Sequence, residues 1–296
     1  MGSKRIFTGA ATAVITPFKN NEIDYERYAK FIEFQIANNI DAIVVCGTTG
    51  EASTLTDDEH RKMIDFTVEK VNKRVKVIAG AGSNDTAYAI ELSKHAEKSG
   101  ADAILQVTPY YNKATQKGLI RHFLTIADSI NTPIILYNVP ARTNLDIMPE
   151  TYAELAKHKN IVGTKEASGN MKAIIQTRQL CGDDFAVYSG NDDDIVPILA
   201  VGGSGVISVI SNLLPNVIHN MCKLYLDGNV TESSAMHIKY IDLIAALFCE
   251  VSPVPVKTAL QLMGLDSGEV RLPLIEMEEK NKALLTAVLK KHGLIQ

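Results

Sequence analysis

The sequence predicts an α/β fold, a (β/α)8 barrel carrying a helical C-terminal extension. Three observations in its 296 residues point there. Eight short β-branched runs recur every ~20–35 residues, the length of one βα unit. Segments with helical apolar spacing fill the intervals. No GxGxxG follows the first run, which counts against the open, doubly wound sheet as the other serial βα arrangement.

The strand candidates, in order, are Gly9 to Ile15, Ala42 to Cys46, Val75 to Ala79, Ala103 to Val107, Ile134 to Tyr137, Ile161 to Lys165, Phe185 to Ser189 and Gly205 to Val209. Several are continuous apolar runs ("AIVVC", "AILQV", "PIILY"), as expected of parallel strands covered on both faces. Helix starts lie between them. "TDDEHRKMIDFTVEKV" opens with Thr56 as N-cap and Glu59 three residues on, a capping box. "NDTAYAIELSKHAEKSG" runs from Asn84 or Asp85 to a terminating Gly100. Pro149 sits near another start. "VGGSGV", Val201 to Val206, precedes the last strand, so it reads as a tight turn at the barrel bottom rather than a phosphate loop. After about Asn212 the strand signal stops. The expected division is a barrel over 1–224 and a helical extension over 225–296.

Composition narrows the function classes. The chain is 46% hydrophobic and 22% charged with a formal net charge of -4, an ordinary globular balance without a nucleic-acid footprint. Cys46, Cys181, Cys222 and Cys249 are scattered and form no CxxC, so neither a metal set nor a disulfide framework is expected. Met1 to Phe7 has no apolar signal core, and no apolar run reaches the roughly 18 residues that span a bilayer. The expectation is a cytoplasmic protein with no membrane partner, in which the N-x-T matches at Asn84 and Asn229 are chance.

In such a barrel the chemistry sits at the carboxyl ends of the strands. Those ends carry "GTTGE" (Gly47 to Glu51), "TPYYN" (Thr108 to Asn112), "YNVPART" (Tyr137 to Thr143), "KEASG" (from Lys165) and "SGND" (Ser189 to Asp192). They bring hydroxyls, one lysine and one arginine to one mouth, with no histidine, which argues against a metal site. Lys165 has two readings. It is a strand-end lysine that snorkels to water or pairs with Glu166. Or it is a Schiff-base nucleophile, because burial disfavours an ammonium and frees a lone pair to attack a ketone. The other lysines do not compete: Lys76 starts its strand, and most of the rest lie on polar helix faces. Tyr137, one strand away, packs in the core or shuttles protons for such a lysine. Thr48 and Thr49 belong to a plain glycine-bounded turn, or offer hydroxyl and N–H donors to a carboxylate. Tyr110 and Tyr111 read as loop aromatics, and Arg142 as a solvated loop arginine or a carboxylate clamp.

Taken in order, "GTTGE", "TPYYN", "YNVPART", "GTKEASG", "SGND" and "GVISV" resemble the dihydrodipicolinate synthase family, within the pyruvate-dependent class I aldolases that include N-acetylneuraminate lyase. The resemblance covers nearly the whole chain, including "PVPVKTAL" (Pro253 to Leu260). Arg142 in "VPART" follows the synthase pattern, which the neuraminate lyases typically lack. What the resemblance implies is condensation of pyruvate with aspartate 4-semialdehyde through a covalent lysine imine, with no further cofactor and no metal. Lys165 is then the nucleophile and Tyr137 relays protons with Thr48 and Tyr111. Thr49 holds the pyruvate carboxylate, Arg142 receives the second substrate, and the backbone at Ile207 and Gly190 lines the pocket. In the family, the tyrosine matching Tyr111 reaches into a neighbouring subunit, which implies a homo-oligomer with a dimer as minimal unit and a tetramer expected.

Lysine-sensitive members bind lysine at that subunit contact. His60, Asn84 and Tyr110 match their pattern. Asp57 replaces a usual histidine, Tyr88 replaces the usual glutamate, and Ala52 and Ser53 swap the usual small residues. Losing the glutamate removes a charge-assisted bond of roughly 1.5–3 kcal/mol, so weak or absent lysine inhibition is expected. The alternatives left by the residues are another pyruvate-dependent lyase acting on a sugar acid or keto acid, and a non-catalytic binding protein on the same barrel.

Overall fold

In a computed structural model describing residues 5–296, the chain closes into a barrel; residues 1–4, the head of the stretch expected to lack a signal core, lie outside the description. The strands are β1 (Gly9–Ala13), β2 (Phe18–Lys19), β3 (Glu22–Ile23), β4 (Ala42–Val45), β5 (Lys76–Gly80), β6 (Ala103–Val107), β7 (Ile134–Asn138), β8 (Ile161–Glu166), β9 (Ala186–Ser189) and β10 (Gly205–Ser208). Eight of them form one closed parallel barrel in the order β1-β10-β9-β8-β7-β6-β5-β4. All eight expected barrel strands are present, with ends displaced by at most two residues. The hairpin β2–β3 was not expected, because two residues per strand are too few for a period to register.

The alternation of strand side chains divides the core in two. Ala11, Ile78, Leu105, Ile135, Tyr137, Tyr188 and Ile207 point into the barrel. Ile43, Val77, Ile104, Ile134, Leu136 and Val206 point outward and pack under the helices. Phe7 plugs the lower interior by stacking on Tyr188 at 4.3 Å between ring centroids, and the Tyr188 hydroxyl donates to Phe7 O at 2.8 Å. The floor of the mouth is therefore apolar and closed.

Local signals set the helices. Thr56 accepts from Glu59 N while the Glu59 carboxylate accepts from Thr56 N, so the capping box forms. Asp85, not Asn84, caps the helix Thr86–Ser99, which ends at a left-handed Gly100. The glycine-rich segment behaves as the turn expected. Gly205 has φ +147°, and a Cβ there would stand 1.9 Å from Gly9 O, so only glycine lets β1 and β10 approach. Four helices follow β10: Pro215–Leu226, Val230–Ala246, Val254–Leu262 and Glu279–Lys291. Among the described residues, no helix is long and apolar enough to cross a membrane.

Candidate active site

Parallel pairing puts Tyr137 directly beside Lys165, and Asn138 beside Glu166. Because neighbours on a strand face opposite ways, Lys165 points into the barrel and Glu166 points out. Glu166 has its own partners: Asn138 Nδ2 at 3.0 Å, Tyr152 Oη at 2.9 Å and Ser168 N at 3.0 Å. Burial pushes its carboxyl up, and those donors only partly offset it. The Lys165–Glu166 pair is thus excluded by strand geometry.

Lys165 is 5% exposed. Among the described residues its ammonium makes no hydrogen bond or ion pair, and it rests 4.3 Å from the centroid of the Tyr137 ring. Gly190 makes room for it. A Cβ at that position would lie 2.8 Å from Ala167 Cβ and 3.1 Å from Lys165 Cγ, while Gly190 N donates to Glu166 O at 2.7 Å. Asp192 is buried nearby. Its Oδ2 accepts from Val209 N and Ile210 N at 3.0 and 2.9 Å, and its Oδ1 has no partner. Burial pushes this carboxyl up against the pull of Ser208, the two N–H groups and the charge of Lys165. Ile207 is fully buried on β10 in the same interior cluster as Tyr137.

A cavity of about 490 Å³ opens beside them and is lined by Tyr137, whereas Lys165, Gly190, Asp192 and Ile207 are not among its lining residues. Thr48, Tyr137, Arg142 and Thr143 form one side of it. Thr49 is 3% exposed and does not line the cavity. Arg142, in the one-turn helix Pro140–Thr143, donates from Nη2 to Ser252 O at 3.2 Å, so the loop between two C-terminal helices reaches the mouth. Tyr111 is not brought in. It is 90% exposed, holds a left-handed φ of 73° and does not line this chain's cavity. Among the described residues, no hydrogen bond joins Tyr137, Thr48 and Tyr111.

The same cavity extends past Ala52, Ser53, His60, Tyr88 and Tyr110. Here the two divergent residues meet, for Tyr88 Oη donates to Asp57 Oδ1 at 2.7 Å. Arg61 Nε holds the other oxygen of Asp57 at 2.8 Å. Arg61 and Tyr88 keep the Asp57 carboxyl below its usual range. Burial and Asp57 push the Tyr88 phenol up to about 12. His60 Nε2 bonds Gly80 O at 2.7 Å, and Asn84 O accepts from Asn112 Nδ2 at 2.9 Å.

Lys257 is an exception to the expectation that most lysines lie on polar helix faces. It is 0% exposed and bonded to Glu51 at 2.7 Å. The helix carrying it is buried on all sides from Val254 to Leu260, and the apolar run "PVPVKTAL" around a single lysine was the available signal. Among the described residues, no group of three or more His, Cys, Asp or Glu side chains could hold a metal ion.

A closed parallel barrel with an unpaired lysine, a tyrosine and a hydroxyl-bearing turn at one mouth has the build of a class I, imine-forming lyase. The model of the dihydrodipicolinate synthetase family matches residues 6–292, and the chain belongs to that family. It is 56% identical over 292 residues to a 4-hydroxy-tetrahydrodipicolinate synthase of Acetivibrio thermocellus, covering 99% of each chain. It is also similar to the dihydrodipicolinate synthase of Aquifex aeolicus, with 45% identity, a TM-score of 0.96, and 97% and 99% of the two chains covered. The Acinetobacter baumannii dihydrodipicolinate synthase, solved in complex with pyruvate, matches at 40% identity and a TM-score of 0.96, covering 98% of this chain and all of that one.

Proposed function

We propose that this chain is a 4-hydroxy-tetrahydrodipicolinate synthase that condenses pyruvate with aspartate 4-semialdehyde. The observation that carries the reading is Lys165, buried without a carboxylate partner beside Tyr137. Its neutral amine attacks the pyruvate ketone. The carbinolamine loses water to an imine, and a C3 proton leaves to give the enamine. The enamine carbon adds to the aldehyde of the second substrate. The amine of that substrate then attacks the imine carbon, expels the Lys165 amine and closes the ring.

Tyr137 moves the protons of these steps with Thr48 and the Tyr111 of a neighbouring subunit. Thr49 and the N–H groups of its turn hold the pyruvate carboxylate. Arg142, anchored on Ser252, receives the carboxylate of the aldehyde substrate. Ile207 and Gly190 supply backbone groups to the pyruvate pocket. Covalent imine chemistry needs no cofactor. The exposure of Tyr111 supports a homo-oligomer in which, as in the family, it reaches a neighbouring site, minimally a dimer with a tetramer as the full assembly. The barrel over 1–224 is the catalytic unit and 225–296 its helical extension, and the enzyme works in the cytoplasm.

Lysine inhibition is weak or absent, because the residue at the ammonium-gripping position is Tyr88 and its hydroxyl is already engaged by Asp57. An assay coupled to reduction of the product, run with pyruvate and aspartate semialdehyde, tests the activity. Turnover is expected. No turnover there, together with cleavage of a sugar acid, would defeat it. The same assay with added lysine checks the second point, and strong inhibition at sub-millimolar lysine would refute it.

A further inference from the structure

The turn carrying Thr48 and Thr49 is bonded at Gly50 and Glu51 to groups gathered round a lysine that does not line the mouth. Lys257 Nζ donates to Glu51 Oε1 at 2.7 Å and to Thr16 O at 2.8 Å, and stands 4.3 Å from the centroid of the Phe18 ring. Thr16 Oγ1 donates in turn to Gly50 O at 2.7 Å. One ammonium thus grips the two residues that follow Thr49, Glu51 directly and Gly50 through Thr16.

Glu51 needs such a grip. Its φ of 54° and ψ of 35° are left-handed, a conformation that glycine adopts freely and glutamate does not. Its other carboxylate oxygen accepts from Arg271 N at 3.1 Å, and Arg271 Nη1 donates to Thr54 O at 3.1 Å. Within the turn, Glu51 N donates to Thr48 O at 3.0 Å and Gly50 N to Gly47 O at 3.1 Å. Any rotation at Glu51 is therefore passed to Thr48. Stability alone does not call for an ion pair here, since well-packed apolar side chains hold buried helices as well or better. A charge pair adds direction: it fixes where the Glu51 backbone points.

We propose that Lys257 and Glu51 are positioning residues, a buried pair through which the C-terminal helices orient Thr48 and Thr49 and so set the affinity for the small carboxylate of the first substrate. This rests on the reading that the Thr48–Thr49 turn holds pyruvate.

The test compares wild type, the double variant Lys257→Met/Glu51→Gln, Lys257→Arg and Thr16→Val. The double variant removes both charges of the pair together, so Glu51 is not left charged and buried, although Asp266, 4% exposed, also loses the neighbouring charge of Lys257. Thr16→Val cuts only the link to Gly50 and leaves the ion pair, so it decides the matter should the double variant fail to fold. The readouts are folding by circular dichroism, KM for each substrate, and the pyruvate dependence of the borohydride-trapped adduct on Lys165. The expected result is a half-saturating pyruvate concentration raised about tenfold or more in the double variant. A smaller rise is expected in Thr16→Val and partial rescue in Lys257→Arg, with KM for aspartate semialdehyde changed less than about twofold. Folded variants with wild-type pyruvate dependence, even if less heat-stable, would overturn the proposal. Absence of any adduct in the wild type would instead overturn the underlying reading of the site.

Discussion

Among the described residues two lysines are buried, Lys165 in the barrel and Lys257 on a C-terminal helix, and they are used in opposite ways. Lys257 is sealed at 0% exposure, with a carboxylate, a carbonyl and an aromatic face around its ammonium. Lys165 is 5% exposed, has an aromatic face and neither a carboxylate nor a carbonyl within bonding distance. Burial pulls the Lys257 ammonium below the ordinary lysine value, while Glu51 and Asp266 pull it back. Lys257 thus has its donors engaged and no open side from which a ketone could approach. Burial alone does not make a lysine reactive; burial with the donors left free, at the open end of the barrel, does.

Replacing each lysine should separate the two cases. Lys165→Ala is expected to cut turnover by about 10³-fold or more while leaving the melting temperature close to wild type, because no ion pair is broken. A variant that keeps a tenth of its activity would contradict that. Lys257→Met should act on stability instead of on the chemical step, destabilising the protein by about 3–5 kcal/mol in urea unfolding by leaving Glu51 buried without its ion-pair partner, besides weakening pyruvate binding. Adding Glu51→Gln should restore most of that loss; if it restores none, the charge is not the cause. Tyr137→Phe keeps the ring against Lys165 and removes only the hydroxyl. It should lower kcat by about 10²–10⁴-fold with little change in pyruvate KM, a split that steady-state kinetics resolves.

The smallest effect concerns pH. Burial holds His60 below its ordinary value of 6.5, although its bond to Gly80 O acts the other way. Burial does the same for His122. Below 6.5 the unfolded chain therefore binds these protons first, and stability falls as pH drops from there. Denaturant midpoints at about pH 7.5 and about pH 5.5 should show that loss, and His60→Asn should reduce it. An unchanged slope would assign the loss to other groups.

The barrel was legible because its signals are local: apolar runs, capping boxes and punctuating glycines. Lys165 and Tyr137 were legible for a related reason. Strand ends fix which residues reach the mouth, whereas the separation of Lys165 from Glu166 came only with the strand register. Lys257 was not legible. Whether the helix Val254–Leu262 is covered on one side or all round is decided by packing between segments some two hundred residues apart in the chain, as in the bond from Lys257 to Glu51. The Tyr88–Asp57 bond was hidden likewise. Each residue stood out singly as a departure from the family pattern, but only the fold brings the phenol to the carboxylate. Tyr111 is the expected site residue that a single chain does not bring in, for it is 90% exposed and does not line its own cavity.

The contrast between the two lysines is tested most directly by treating the wild-type protein with pyruvate and borohydride and mapping the adduct by peptide mass spectrometry. The account predicts one pyruvate-derived modification per chain, on Lys165, with Lys257 unmodified. Modification of Lys257, or no modification of Lys165 at saturating pyruvate, would contradict it.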